Sequence, residues 1–64
     1  MELFEGQIIS APFLGEKAEV KKFERSPGYF LLEVILLNSR TYKSLRISES
    51  QLKQVVVELS LIHI

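Results

Sequence analysis

The chain has no cysteine and no aspartate, and its 64 residues include one histidine, two prolines and three glycines. Without cysteine there are neither disulfide staples nor thiolate metal sites, so a folded state must be held by its core alone. All eight acids are glutamates and they balance eight lysines and arginines, leaving a net charge of +0. No long-range field therefore steers the chain toward nucleic acid or an acidic membrane, and any such binding must be local. The single histidine, His63, has no second imidazole for a metal cage and no orienting partner for general-base work. Gly6, Gly15 and Gly28 are too far apart for a phosphate-cradling loop, and the glutamates are scattered rather than paired. These residues offer no catalytic, cofactor-binding or metal site, so the segment is read as non-enzymatic and free of cofactors. The opening Met1-Glu2-Leu3-Phe4-Glu5 lacks the basic and apolar regions of a signal peptide, and no apolar run is long enough to span a bilayer. A cytoplasmic location is expected, with no membrane partner and no small-molecule substrate.

What is present is the profile of a folded domain: 47% hydrophobic and 25% charged residues. A chain this short buries only about 60% of its unfolded surface, which allows one thin core. The last six residues, Leu59-Ser60-Leu61-Ile62-His63-Ile64, read back through codons as a transposase-end sequencing adapter. Residues 59–64 are accordingly expected to be a non-native tail, and residues 1–58 a single small module at the N-terminus of a longer protein.

Hydrophobic spacing predicts short strands. Gln7 to Ala11 is rich in β-branched residues, preceded by Gly6 and stopped by Pro12, which cannot donate to a ladder. Phe13, Leu14 and Gly15 form a loop, with Phe13 plugging one end of the core. Glu16 to Arg25 alternates, with Ala18 and Val20 on one face, until Phe23 falls out of register, and a bulge near Lys22 would account for this. Ser26-Pro27-Gly28 is a turn that makes a hairpin with Tyr29 to Leu37. That strand is apolar on both faces except for Glu33, so it is expected to be central and covered from two sides or curled into a barrel. Asn38-Ser39-Arg40 makes the next turn, and Thr41 to Ile47 places Leu45 and Ile47 inward and Tyr42, Ser44 and Arg46 outward. Ser48 and Gln51 fit a capping box that starts a short helical turn near residues 48–55. Val55-Val56-Val57 then favours a fifth strand ending near Glu58. The expected fold is mainly β, a small five-stranded Src-homology-3-like barrel or half-open roll with one short helical turn.

Glu33 is the one acid inside an apolar strand, and it is read as lying on the wet side of an imperfect barrel. Two basic groups remain: Lys21, Lys22 and Arg25, and then Arg40, Lys43 and Arg46. Arg40, Tyr42 and Arg46 are expected on one face, mixing cation and aromatic as small barrels do against phosphates and stacked bases. Arg40, Tyr42, Lys43 and Arg46 are the candidate contacts for nucleic acid or a partner.

Leu3-Phe4-Glu5-Gly6-Gln7-Ile8-Ile9, then Ala11-Pro12-Phe13 with Glu16 and Glu19-Val20 after it, resembles the extreme N-terminus of bacterial and archaeal helicase-like ATPases of the Snf class of superfamily II. A Leu-Ser-x-x-Gln-Leu element of that family is matched by Leu45-Arg46-Ile47-Ser48-Glu49-Ser50-Gln51-Leu52. The resemblance implies a non-catalytic accessory module that braces the motor or contacts DNA. The phosphate loop and acidic metal-binding motif of an ATP-dependent helicase or translocase would then lie downstream, in ATPase domains of the same parent chain. The alternative reading is a stand-alone protein-interaction barrel that binds a peptide or partner subunit through an edge strand or an aromatic groove of Phe13, Tyr29 and Tyr42.

Overall fold

The computed structural model describes residues 2–59, the last of these by its backbone alone. Five strands, β1 (Ile8–Ser10), β2 (Ala18–Ser26), β3 (Tyr29–Leu36), β4 (Tyr42–Ile47) and β5 (Val56–Leu59), and one helix, α1 (Glu49–Lys53), follow in the order β1-β2-β3-β4-α1-β5. The strands form one antiparallel sheet in the order β4-β3-β2-β1-β5. Its outermost strands, β4 and β5, are not paired with each other, so the fold is a half-open roll and not a closed barrel. Residues 60–64 of the expected non-native tail lie outside the described residues. Leu59, the first residue of that stretch, pairs with Ile8.

The β2–β3 hairpin organises the sheet. Pro27 cannot take a positive φ, whereas Gly28 has φ +86°, a combination that matches the two corners of a type II turn between the paired Ser26 and Tyr29. The expected irregularity is present: pairing slips between Val20 and Lys22, leaving Lys21 without an opposite residue. Before the slip Ala18 and Val20 face Leu36 and Val34, and after it Phe23 faces Leu32. Since opposite residues share a face, the bulge returns Phe23 to the side that simple alternation would deny it.

That side is the core. Val20, Leu32, Val34, Ile9 and Ile47 are buried essentially completely, with Leu3, Leu14, Leu36, Leu52 and Val55 around them. Phe13 packs partly against this cluster, as expected of a plug, but Leu14 is the more deeply buried of the two. The other face of β3 differs from expectation. Leu31 and Ile35 are only half-buried, and β3 lies one place from the edge while β2 holds the middle. Apolar residues on both faces therefore mark a strand packed on one side and partly shielded by neighbouring side chains on the other.

The capping box forms as the Ser48 and Gln51 pair requires. The Gln51 N–H donates to Ser48 Oγ at 3.1 Å, and the Ser48 N–H donates to Gln51 Oε1 at 2.9 Å. One helical turn suffices to bury Leu52 before Val55 closes the core and β5 begins. No helix among the described residues is long and apolar enough to cross a membrane.

Two substitutions test this arrangement by urea unfolding followed by circular dichroism. Leu32→Ala should cost about 2–5 kcal/mol, whereas Leu31→Ala on the half-buried face should cost roughly half of that or less. Equal losses would contradict a one-sided core. Arg40 adopts φ +58°, outside the range that a side chain favours. Arg40→Gly should therefore stabilise the chain by about 0.5–1 kcal/mol, the relief of left-handed strain less the entropy that glycine adds to the unfolded state. A lower midpoint would show that the arginine side chain contributes more than its backbone costs.

Candidate interaction surface

The hairpin between β3 and β4 and the strand that follows it carry the residues singled out from the sequence, and the register separates them. Tyr42 pairs with Ile35, Ser44 with Glu33 and Arg46 with Leu31, so these residues share the outer face of the sheet. Lys43 pairs with Val34, a core residue, and so leaves β4 on the opposite face. Arg40 is in the turn before the strand, where its positive φ removes it from the alternation. The expectation that Arg40 would share a face with Tyr42 and Arg46 is therefore replaced by a set spread over a turn and both sides of one strand. All four are exposed.

On the outer face, diagonal neighbours engage one another. The Arg46 guanidinium lies 5.3 Å from the centre of the Tyr29 ring, a cation–π contact. The Tyr42 hydroxyl donates to the Glu33 carboxylate. Because that acceptor favours the protonated phenol, and partial desolvation and the Glu33 charge act in the same sense, Tyr42 ionises above its ordinary value of 10.0. Tyr29 was not singled out as a partner of Arg46. The diagonal depends on the β3–β4 register, which a four-residue connection from Leu37 to Arg40 sets one place away from that of the three-residue turn expected from sequence.

The two basic groups differ in how they are engaged. Lys21 pairs with Glu19 at 3.6 Å and Lys22 with Glu24 at 3.4 Å, while Arg25 lies 5.5 Å over the Phe30 ring, which itself stacks on Phe23. Among the described residues no ion pair involves Arg40, Lys43 or Arg46. The stretch 40–47 thus carries three cations and no acid in a chain whose net charge is +0.

A carboxylate clasps the turn of this hairpin. The backbone N–H groups of Asn38 and Ser39 donate to Glu16 Oε1 at 2.7 and 3.0 Å, tying the loop before β2 to the turn that bears Arg40. Hydrogen bonding from Ser39 foremost, opposed by desolvation and then aided by the Asn38 N–H and the Lys43 charge, holds the Glu16 carboxyl below its ordinary value of 4.5.

Phe13, Tyr29 and Tyr42 do not converge into a groove. Phe13 packs on the core side, and Tyr29 and Tyr42 stand at opposite ends of β3, about 20 Å apart at strand rise. An open groove of about 490 Å³ lies between Pro12, Gly15, Glu16, Gln54 and Val56, and none of the three β4-side cations lines it. Among the described residues no group of three or more histidines, cysteines or acids is placed to hold a metal ion. In comparisons with known proteins, the chain matches no family model, no curated protein and no solved structure.

A depressed carboxyl contributes stability above its unfolded value and loses it as pH falls through the folded one. The amide proton shifts of Asn38 and Ser39 should therefore move together on acidification with a midpoint below 4.5, and Glu16→Gln should abolish the titration. A midpoint at or above 4.5 would exclude the clasp.

Proposed function

We propose that the chain is a non-catalytic docking module that engages an anionic partner through Arg40, Tyr42, Lys43 and Arg46. The observation that carries this reading is the concentration of three exposed, unpaired cations in residues 40–47, while Lys21 and Lys22 are engaged by neighbouring glutamates. Exposed cations that no carboxylate holds within 4 Å keep most of their attraction for an incoming anion. The resemblance to Snf-class ATPases gives the reading its setting: an accessory module of a DNA-dependent motor in the cytoplasm, bracing the ATPase domains or touching DNA. ATP hydrolysis belongs in this reading to the downstream domains of the parent chain. The module itself supplies orientation and contact, for which a small rigid sheet with a solvent-facing edge is well suited.

Binding of a fluorescent DNA duplex and of polyglutamate, each titrated across a range of salt concentrations, tests the reading. At least one of the two should bind. For the duplex, log affinity should fall with log salt with a slope of about −0.9 for each phosphate neutralised. Replacing Arg40, Lys43 and Arg46 together by alanine should flatten that slope by about one unit per cation engaged. Binding that is unchanged by the triple replacement, or no binding of either polyanion, would reject the proposal.

A further inference from the structure

We propose that the outer edge of β4 takes up an acidic, extended polypeptide segment as an additional strand, an inference that rests on the anion-docking reading above and names the class of partner. The first ground is the backbone. The Leu36 N–H donates to the Thr41 carbonyl at 2.8 Å, so Leu36 and Thr41 form a hydrogen-bonded pair of the antiparallel ladder. Such pairs recur at every second residue. Lys43, Leu45 and Ile47 therefore turn their N–H and C=O groups toward β3, and Tyr42, Ser44 and Arg46 turn theirs away from the sheet. β4 is the last strand on its side, and Tyr42, Lys43, Ser44 and Arg46 are exposed. Its edge thus presents donors and acceptors at the spacing that an incoming strand requires.

The second ground is how charge is divided. Arg46 leaves the strand on the outer face and Lys43 on the opposite one, with Arg40 at the turn. A duplex lying over the outer face would meet Arg46 but not Lys43, and it would approach the Glu33 carboxylate held by Tyr42. A strand added in the plane of the sheet sends alternate side chains to both faces, so acids along it can reach Lys43 on one side and Arg46 on the other. A second copy of this chain is a poor occupant of the same edge. Pairing β4 with β4 would bring two sets of the same three cations together, and like charges on adjacent strands repel.

Ser44 separates strand addition from simple attraction between charges. Its N–H faces outward, so Ser44→Pro removes a donor from the free edge without removing a bond from the β3–β4 ladder, a kind of strand position that tolerates proline. The probe is a short capped peptide repeating Glu-Glu-Val-Val, which sends acids to both faces of an added strand, titrated into the full chain and followed by amide exchange and fluorescence anisotropy, with a DNA duplex run in parallel. The expected result has three parts. The Tyr42, Ser44 and Arg46 amides gain protection in the peptide complex, Ser44→Pro weakens the peptide at least about tenfold, and any duplex binding changes by less than about twofold. A peptide N-methylated at alternate residues should lose binding to the unaltered chain, which keeps the test decisive if Ser44→Pro fails to fold. Equal binding of the peptide to Ser44→Pro, indifference to N-methylation, or binding of the duplex without the peptide would overturn strand addition. The last of these leaves the anion-docking reading standing. Failure of the peptide, the duplex and polyglutamate alike to bind sinks that reading together with this inference.

Discussion

The fold depends on the pairing of β2 with β3, and above all on the single unpaired residue within it. Alternation places successive side chains on opposite faces, so a regular ladder through Ala18, Val20 and Lys22 would point Phe23 to solvent. Leaving Lys21 unopposed shifts the register by one and turns Phe23 inward against Leu32, where it also stacks on Phe30. The same shift sends Lys22 to the outer face beside Glu24. One inserted residue thus decides which aromatic joins the core and which cation meets a carboxylate. The added twist at a bulge also helps the long hairpin to curl, as a five-stranded sheet must if one face is to enclose a core of so few residues.

Curling stops short of closure, and that sets the character of the surface. β1 pairs on both sides, with β2 and β5, while among the described residues β4 and β5 each have a strand on one side alone. Open edges invite association with other chains, and soluble proteins blunt them with charge, above all with lysine. Lys43 and Arg46 on β4 fit that description, and under the strand-addition proposal the same residues that discourage self-pairing would favour an acidic strand. Protection and recognition do not conflict here, because both follow from the sign of the charge. The Glu16 clasp on Asn38 and Ser39 contributes at a distance by fixing the turn that introduces β4.

Much of the fold was legible from residue order. Pro27-Gly28 marked the hairpin, the Ser48 and Gln51 pair marked the start of the helix, and the displaced Phe23 marked the bulge. All three are local signals, in which side chains a few residues apart bias the backbone directly. The site was legible in composition and not in arrangement. Arg40, Tyr42, Lys43 and Arg46 could be picked out as a basic cluster, but alternation alone could not place Arg40, whose left-handed backbone breaks the pattern. Nor could it show that Arg46 would cover Tyr29, since that contact depends on the cross-strand register. Of the two readings of β3, cover on both faces does not form while a partly curled sheet does: apolar composition reports a preference for burial, and only the positions of neighbouring strands decide whether burial is available.

By itself the sequence determined the elements, the turns that join them and the absence of any cysteine or aspartate chemistry. These follow from short-range sterics, hydrogen-bonding patterns and composition. Only the tertiary structure decided that the sheet remains open, that β4 lies at its edge, that Lys43 and Arg46 leave it on opposite faces, and that the amides of Tyr42, Ser44 and Arg46 point outward. These outcomes rest on which strands meet and in what register. They come from contacts between residues far apart in the chain, where total burial of the apolar face, and not the preference of any one segment, selects the arrangement.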